Sequence, residues 1–317
     1  VDLLKKRGSQ ITMAMAMALF LLCLTICACQ VQPPAPTVPE AEDILQLHHV
    51  PDEKYIYCIH YDEKAFQKAI DKAAPYNIEG SMLAATSPHF LPVMSFTANI
   101  LYTLAELKQP PVTIFVVAPN HSGEGFPIML ADKGWATPYG NLEIDKTATA
   151  AILESPPLAN KIDIDLQHIQ SDHSAATLMP FIKYYLPDVQ VVTLLLSKDC
   201  RLEQLRILAK IIFEISQEKP IFVLGSIDFS HYLPIEETAK RDELTEVLIQ
   251  AGDIQAIMGL DSGNLDSPPS MVTLINYAAN FPFVIAQRLE HVILAESATM
   301  RDIGYSYSVY VYSYTNI

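Results

Sequence analysis

The chain has 317 residues, 50% of them hydrophobic and 18% charged, enough for one large domain or two small ones with a real core. Its formal net charge of −15 argues against nucleic acid, which selects basic surfaces, and against electrostatic docking on an anionic membrane. The five cysteines do not make a disulfide framework in a chain this long. Cys23, Cys27 and Cys29 share one N-terminal segment, which leaves Cys58 and Cys200 to be read as two free, buried thiols.

Lys5, Lys6 and Arg7 precede an almost wholly apolar run at 13–27, which ends in Ile26-Cys27-Ala28-Cys29. This is the layout of a secretory signal. Its end resembles a bacterial lipobox with Cys29 as the lipidated residue, although Cys27 is atypical at its position. The Pro-rich stretch 30–40 cannot pack a core and reads as an extended tether. The expected organisation is a signal peptide at 1–28, a lipidated Cys29 with its tether at 29–42, and one domain at 43–317. Its expected location is the bacterial cell envelope, as an extracytoplasmic lipoprotein whose only membrane attachment is the lipid.

Within the body, 54–59 alternates weakly and suits a strand. Residues 63–74 have helical spacing behind Asp62, a plausible N-cap. A short apolar strand at 81–86 runs into Ser87-Pro88-His89, where Pro88 takes the chain out of regular structure. A helix is expected at 96–107. The run VTIFVVA at 112–118 is β-branched, aromatic and continuous, the strongest strand pattern in the chain. It ends in Pro119-Asn120-His121, followed by Gly123 and Gly125, which suit a loop close to a ligand. Residues 132–141 look like a loop around Trp135, and 145–153 like a helix. Asp172-His173-Ser174 precedes an expected amphipathic helix at 175–185. Here Asp172 or Ser174 is a cap, and His173 either sits beside it or projects into a cleft.

A buried strand at 189–196 and a helix at 202–218 follow. The apolar run at 221–224 then passes through Gly225 into Asp228-Phe229-Ser230-His231, and a helix is expected at 235–250. After a short helix at 253–260 comes a loop at 261–269 with Asp266, then a helix near 271–279 capped by Ser270. Residues 281–294 fit strand or helix. The terminal run IGYSYSVYVYSY at 303–314 reads as a long strand with one face toward solvent near its start. Strands alternating with helices imply an α/β fold: a single domain with a mixed, mostly parallel sheet flanked by helices.

Three of these strands end in histidine: His89, His121 and His231. In open α/β sheets the ligand site lies beyond the carboxyl ends of the strands. Imidazole is both a common metal ligand and a proton shuttle. Two histidines with one carboxylate leave coordination positions open for a substrate or for oxygen. No Walker-type phosphate loop and no GxSxG elbow occurs. Ser230 and His231 are adjacent on extended chain and point apart, so a serine triad is not expected.

Ser87-Pro88-His89, APNHSG at 118–123, SDHSAATLMPFIKYYLP at 171–187 and GSIDFSHY at 225–232 together resemble the MEMO family, known in bacteria as AmmeMemoRadiSam system protein B. The resemblance covers roughly 80–314. It implies a fold like that of the class III extradiol ring-cleaving dioxygenases (LigB-like), which use nonheme iron. It also implies a mononuclear metal held by two histidines and a cysteine, with a further Asp and His beside it. Carried over, His89 and His121 are metal ligands, while Asp228, His231 and His173 are acid–base or substrate-contacting residues. In place of the family cysteine stands Leu265-Asp266-Ser267, so Asp266 is the third ligand or merely a helix cap.

A carboxylate there shifts the expected cofactor to Fe(II), with Cu or Zn as alternatives. Two functions fit: a nonheme-metal redox enzyme acting on a small molecule, or a non-catalytic metal-binding or partner-binding module on the envelope. The radical SAM and AMMECR-type partners that accompany the family look cytoplasmic, and an exported chain would not meet them. If Cys29 carries the lipid, Cys29→Ser moves the protein from membranes to the soluble extracytoplasmic fraction. Unchanged fractionation with membranes would rule the anchor out.

Overall fold

In a computed structural model, which describes residues 54–296 and 302–315, the run at 112–118 becomes β3 (Thr113–Pro119), buried along its whole length. The N-terminal segment, with the expected signal, tether and Cys29, lies outside the described residues. A strand as apolar as β3 needs partners on both edges and apolar layers on both faces. Its edges carry β8 (Gln190–Leu196) and β9 (Ile221–Ser226), both parallel to it. Beyond β9 lies β2 (Ser81–Ser87), and beyond β8 lies β6 (Gly140–Ile144), again parallel.

Antiparallel strands complete the sheet. β12 (Ile303–Tyr314) pairs with β2, with β10 (Leu233–Pro234) and with β11 (Val284–Glu296). On the other side β4 (Ile128–Leu130) pairs with β8, and β5 (Gly134–Thr137) pairs with β6. β1 (Tyr55–Tyr57) and β7 (Ile162–Asp163) add short parallel pairs. The helices are α1 (Glu63–Ile70), α2 (Ser95–Ala105), α3 (Lys146–Leu153), α4 (Leu166–Ser171), α5 (His173–Ala176), α6 (Met179–Tyr185), α7 (Leu202–Ser216), α8 (Ile235–Ala251), α9 (Ile254–Met258) and α10 (Pro268–Ala278). This is the α/β class read from the sequence: a mixed, mostly parallel sheet flanked by helices.

The period of two along each strand sorts the core into two layers. Ile114, Val116 and Ala118 of β3 pack in one layer with Phe66, Leu101 and Phe181 from α1, α2 and α6. Phe115 and Val117 pack in the other with Leu205, Ile212 and Leu274 from α7 and α10. Gly225 on β9 sets how closely α10 approaches, because a Cβ there would lie 3.0 Å from both Leu274 methyls. Its missing side chain lets α10, and the residues just before it, close on the end of β9.

Several expectations change. The stretch around Trp135 is the β5–β6 hairpin, not a loop. Its Gly and Pro residues mask the strands, and the buried Trp135 indole donates to Thr193 Oγ1 at 3.0 Å. The helix expected at 175–185 is broken into α5 and α6, because Pro180 has no N–H to continue the first and instead opens the second. The ambiguous 281–294 region is β11. β12 does not turn its start to solvent: Ser306 and Ser308 are each 1% exposed. Their hydroxyls are taken up by buried partners described below. Cys58 and Cys200 are free, as expected, though Cys58 is only half-buried. No helix of the described residues is long and apolar enough to cross a membrane.

Phe66 fixes α1 to this body. Its ring lies 4.6 Å from Tyr139 and 4.5 Å from Phe181, and it is 1% exposed. Phe66→Ala should cost about 3–5 kcal/mol in urea denaturation. A loss below about 1 kcal/mol would show that α1 is not part of the cooperative core.

Candidate metal centre

β2, β9 and β3 are neighbours and run in the same direction, so their carboxyl ends meet at one edge. β2 delivers His89 through Ser87-Pro88, β9 delivers Asp228, and β3 delivers His121 through Asn120. The loop after β3 is built by Asn120, whose Oδ1 accepts Ser122 Oγ and Gly123 N at 3.0 and 3.2 Å. Gly123 and Gly125 have φ of 66° and 82°. They serve this turn and line neither groove described below.

His89 is buried, and its orientation is forced. Ser226 Oγ donates its proton to the Ser174 carbonyl at 2.6 Å, so it can only accept from His89 Nδ1, 2.9 Å away. Nε2 is left facing Asp266 Oδ2 at 3.2 Å and Asp228 Oδ2 at 3.6 Å. Burial works against a charge on His89, but Asp228 and Asp266 outweigh it and push its pKa up to about 9.

His121 is fixed in the same sense. Asp172 accepts its backbone N–H and its Nδ1–H, both at 2.9 Å, which leaves Nε2 3.8 Å from the same Asp266 oxygen. A carboxylate behind a histidine in this way sets the tautomer and raises the basicity of the ligating nitrogen. Burial opposes the charge of Asp172, but His121 and the Ser174 N–H hold it well below the usual carboxylate range. Asp172 also caps α5 through Ser174 N at 2.9 Å. Asp172 therefore caps α5 as expected and also holds His121.

His173 opens α5 and stacks on His121, with ring centroids 4.5 Å apart and planes at 15°. Burial, then the neighbouring His89 and His121, lower its pKa to about 4. Asp266 is not a helix cap. Ser267 caps α10 by accepting Ser270 N at 3.3 Å, not Ser270 as expected, and the Asp266 carboxylate is turned into the centre. Asp266 and Asp228 are tied together, Asp266 N donating to Asp228 O at 3.0 Å and Asp228 N donating to the Asp266 carboxylate Oδ1 at 3.2 Å. Burial and the Asp266 charge raise the Asp228 pKa.

His231 lines the same cavity, but Asp228 does not orient it. Its Nδ1–H is held by its own Phe229 carbonyl at 2.6 Å. Two sets of side chains could each close on a metal ion: His89 with His121 and His173, and His89 with Asp228 and Asp266. Asp266 Oδ2, within 3.8 Å of both His89 and His121 Nε2, joins the sets.

Two grooves of about 860 and 750 Å³ open on this centre, and His89, His173 and Asp228 line both. The smaller is aromatic, with Phe90, Tyr232, Tyr305 and Tyr307 in its wall. Phe90 stacks on Tyr307 at 5.1 Å and 5°. Tyr232 stands 72% exposed at φ 63°, a left-handed conformation uncommon for a bulky residue and often found at ligand-binding positions.

Two supports had no sequence signal. Ser226 ends an apolar strand, and only the contact with Ser174 reveals its role. Asp242 lies mid-helix in α8 and accepts the Ser230 and Ser306 hydroxyls at 2.6 and 2.8 Å.

The metal-free protein should show a bell-shaped stability profile. His89, raised in the folded state, stabilises fully below its unfolded pKa of about 6.5, and this is lost as pH rises toward 9. His173, lowered in the folded state, stabilises above that pKa and loses it as pH falls toward 4. Urea denaturation across pH 4–10 (about six units) should therefore peak near neutrality. His89→Gln should flatten the alkaline limb, and an unchanged limb would refute its assignment to His89.

A family model described as Memo-like protein matches residues 61–262, which takes in every residue of the centre except Asp266. Among curated relatives, the MEMO1 family protein PAE0818 of Pyrobaculum aerophilum is 29% identical over 59% of this chain and 63% of its own length. A MEMO1 family protein of Desulfurococcus amylolyticus is 32% identical over 57% of this chain and 64% of its own. The chain thus spans a little under two thirds of these relatives. Among solved structures, the uncharacterized protein JW3007 from Escherichia coli K12 aligns at a TM-score of 0.46 and 13% identity, over 73% of this chain and 100% of that one. The match over 61–262 runs through the strand ends that carry His89, His121 and Asp228 and covers more than half of the sequence: the chain belongs to the Memo-like protein family.

Proposed function

We propose that His89, His121 and Asp266 hold one divalent transition metal, Fe(II) first among the candidates, and that the protein is a nonheme redox enzyme acting on a small molecule outside the cytoplasm. The observation that carries this reading is the convergence of two histidine nitrogens on one carboxylate oxygen, with both tautomers fixed from behind by Ser226 and Asp172. The donor set fits a metal. Asp228 and Asp266 bring two carboxylates whose charge the protonated His89 meets in the metal-free chain; once His89 ligates as a neutral imidazole, a divalent ion would balance both and Cu(I) would not. A carboxylate in place of a thiolate also favours Fe(II), Mn(II) or Zn(II) over soft ions. The extracytoplasmic setting rests on the N-terminal signal pattern.

When bound, the metal would supply Lewis acidity and, if iron, one-electron chemistry. The chain's own groups would do the rest. His231, with Nδ1–H held by Phe229, has Nε2 available to accept a proton from a ligand hydroxyl in the aromatic groove. His173, neutral at ordinary pH, offers a hydrogen bond without adding positive charge to the centre. Asp228 positions His89 by accepting its backbone N–H at 3.0 Å. The aromatic walls exclude water and favour a planar apolar ligand portion.

A second reading, a metal-binding module without catalysis, is favoured by one observation: His231 is bonded to its own chain rather than to Asp228, so no carboxylate-backed base is assembled. Metal analysis separates these possibilities in order. The purified chain should bind about one equivalent of Fe(II), and His89→Ala and Asp266→Ala should lose it. A parent chain that takes up neither Fe(II), Cu nor Zn removes both readings. Oxygen uptake with catechol-type compounds by the iron-loaded protein, lost in His231→Ala, would select the enzyme.

A further inference from the structure

The larger groove runs from His89, His173 and Asp228 to α1 and the turn that follows it, where Lys64, Lys68 and Lys72 line it. We propose that these three lysines form an anion-binding subsite for a small, multiply charged ligand, carrying carboxylate or phosphate groups, whose other end reaches the centre. The inference rests on the reading of that centre as a ligand-binding metal site.

Four observations support it. Lys64 and Lys68, at i and i+4, share one face of α1, and Lys72 lies in the turn just past the helix end, on the same groove wall. A groove of about 860 Å³ suits a small molecule. Second, the position of Lys64 is unfavourable for the helix itself. Its like-charge i, i+4 pair with Lys68 destabilises the helix by a few tenths of a kcal/mol, and it lies in the first turn, where the helix dipole disfavours a cation, whereas Lys68 in the last turn is favoured. No carboxylate pairs with the three: the Lys and Arg ion pairs of the described residues use Lys210, Lys219, Arg241 and Arg288.

Third, the chain carries a net charge of −15, so a wall of three uncompensated lysines stands against its background. The two carboxylates that share the groove are already engaged: Asp62 caps α1 through Ala65 N at 2.7 Å, and Asp228 faces His89. Fourth, Ala65 and Ala69 lie between the lysines on the groove wall. Small side chains there leave room for a ligand against the helix, and Phe66 anchors that helix to the core. Lysine, a compact mobile charge, suits carboxylate and phosphate alike.

The test is calorimetric titration of the full chain at low salt with two trianions of unlike chemistry, benzene-1,3,5-tricarboxylate and trimetaphosphate. At least one should bind the parent, and the tighter of the two assigns the acidic group. Lys64→Gln/Lys68→Gln/Lys72→Gln should weaken it by about tenfold or more, equivalent to about 1.4 kcal/mol. Glutamine is a good helix former, so circular dichroism of the triple variant should match the parent. Lys210→Gln, at an exposed position of α7 away from the groove, should leave binding unchanged, so that loss in the triple variant is specific to the groove. Failure of both trianions to bind the parent, or equal binding by the triple variant, overturns the subsite. Metal content is read on the same samples. The triple variant should keep the parent's metal, whereas trianion binding that is lost in the triple variant of a chain without metal would sustain the subsite and defeat only the metal reading.

Discussion

Two carboxylates held side by side set the terms for everything around them. Asp228 and Asp266 are tied by a backbone bond from Asp266 N to Asp228 O, by the Asp266 carboxylate accepting Asp228 N, and by the bridge between Phe229 and Leu265, so the two segments are held side by side. Like charges at this distance inside a protein require either a proton or a cation between them. In the metal-free chain His89 answers that requirement, and this is why its pKa rises although burial alone would lower it. On the metal reading, a divalent ion held by His89 and these carboxylates would meet the same requirement in place of the His89 proton.

The pair can be held so closely because the segment after β9 is clamped from its other side. Phe229 N donates to Ser306 O at 3.1 Å, and Ser306 N donates to Ser230 O at 2.7 Å. Both serine hydroxyls then converge on the buried Asp242 of α8. Ser308 on the same strand engages His291 Nδ1 at 2.9 Å, and His291 Nε2 lies 3.6 Å from Asp242. The Tyr–Ser alternation of β12 thus has a structural meaning: its serines serve a polar network under α8 that fixes the position of the site, and its Tyr305 and Tyr307 form the aromatic groove wall.

Much of this was legible in the sequence, and the boundary of legibility is physical. The strands that carry the centre announced themselves because doubly buried parallel strands are continuous apolar runs, and a histidine just past the end of such a run stands out. Asp266 could be named only through the resemblance to a family motif; nothing in its own neighbourhood distinguishes a ligand from a cap. The β5–β6 hairpin was hidden because its Gly and Pro content matches that of a loop. The break between α5 and α6 was hidden because the apolar spacing continues across Pro180. Ser226, Asp172 as the partner of His121, and Asp242 act across long sequence separations, and no local pattern records such contacts. The lysines of α1 and of the turn after it were visible as residues, but their common groove depends on how Phe66 docks the helix.

The turn Pro88-His89-Phe90 joins these features. Pro88 ends β2 and directs His89 inward, while Phe90, next in sequence, stacks on Tyr307 and lines both grooves. One tripeptide therefore places the His89 imidazole at the centre and forms the partition between an aromatic wall and a cationic one. A ligand spanning the partition would be held by charge at one end and by ring contacts at the other, with its middle against the centre. Orientation of that kind brings a chosen atom to the reacting groups without a dedicated binding domain. In that reading the carboxyl edge of the sheet would provide the chemistry and α1 on one side and β12 on the other the walls, each anchored to a core that the apolar strands had to build in any case.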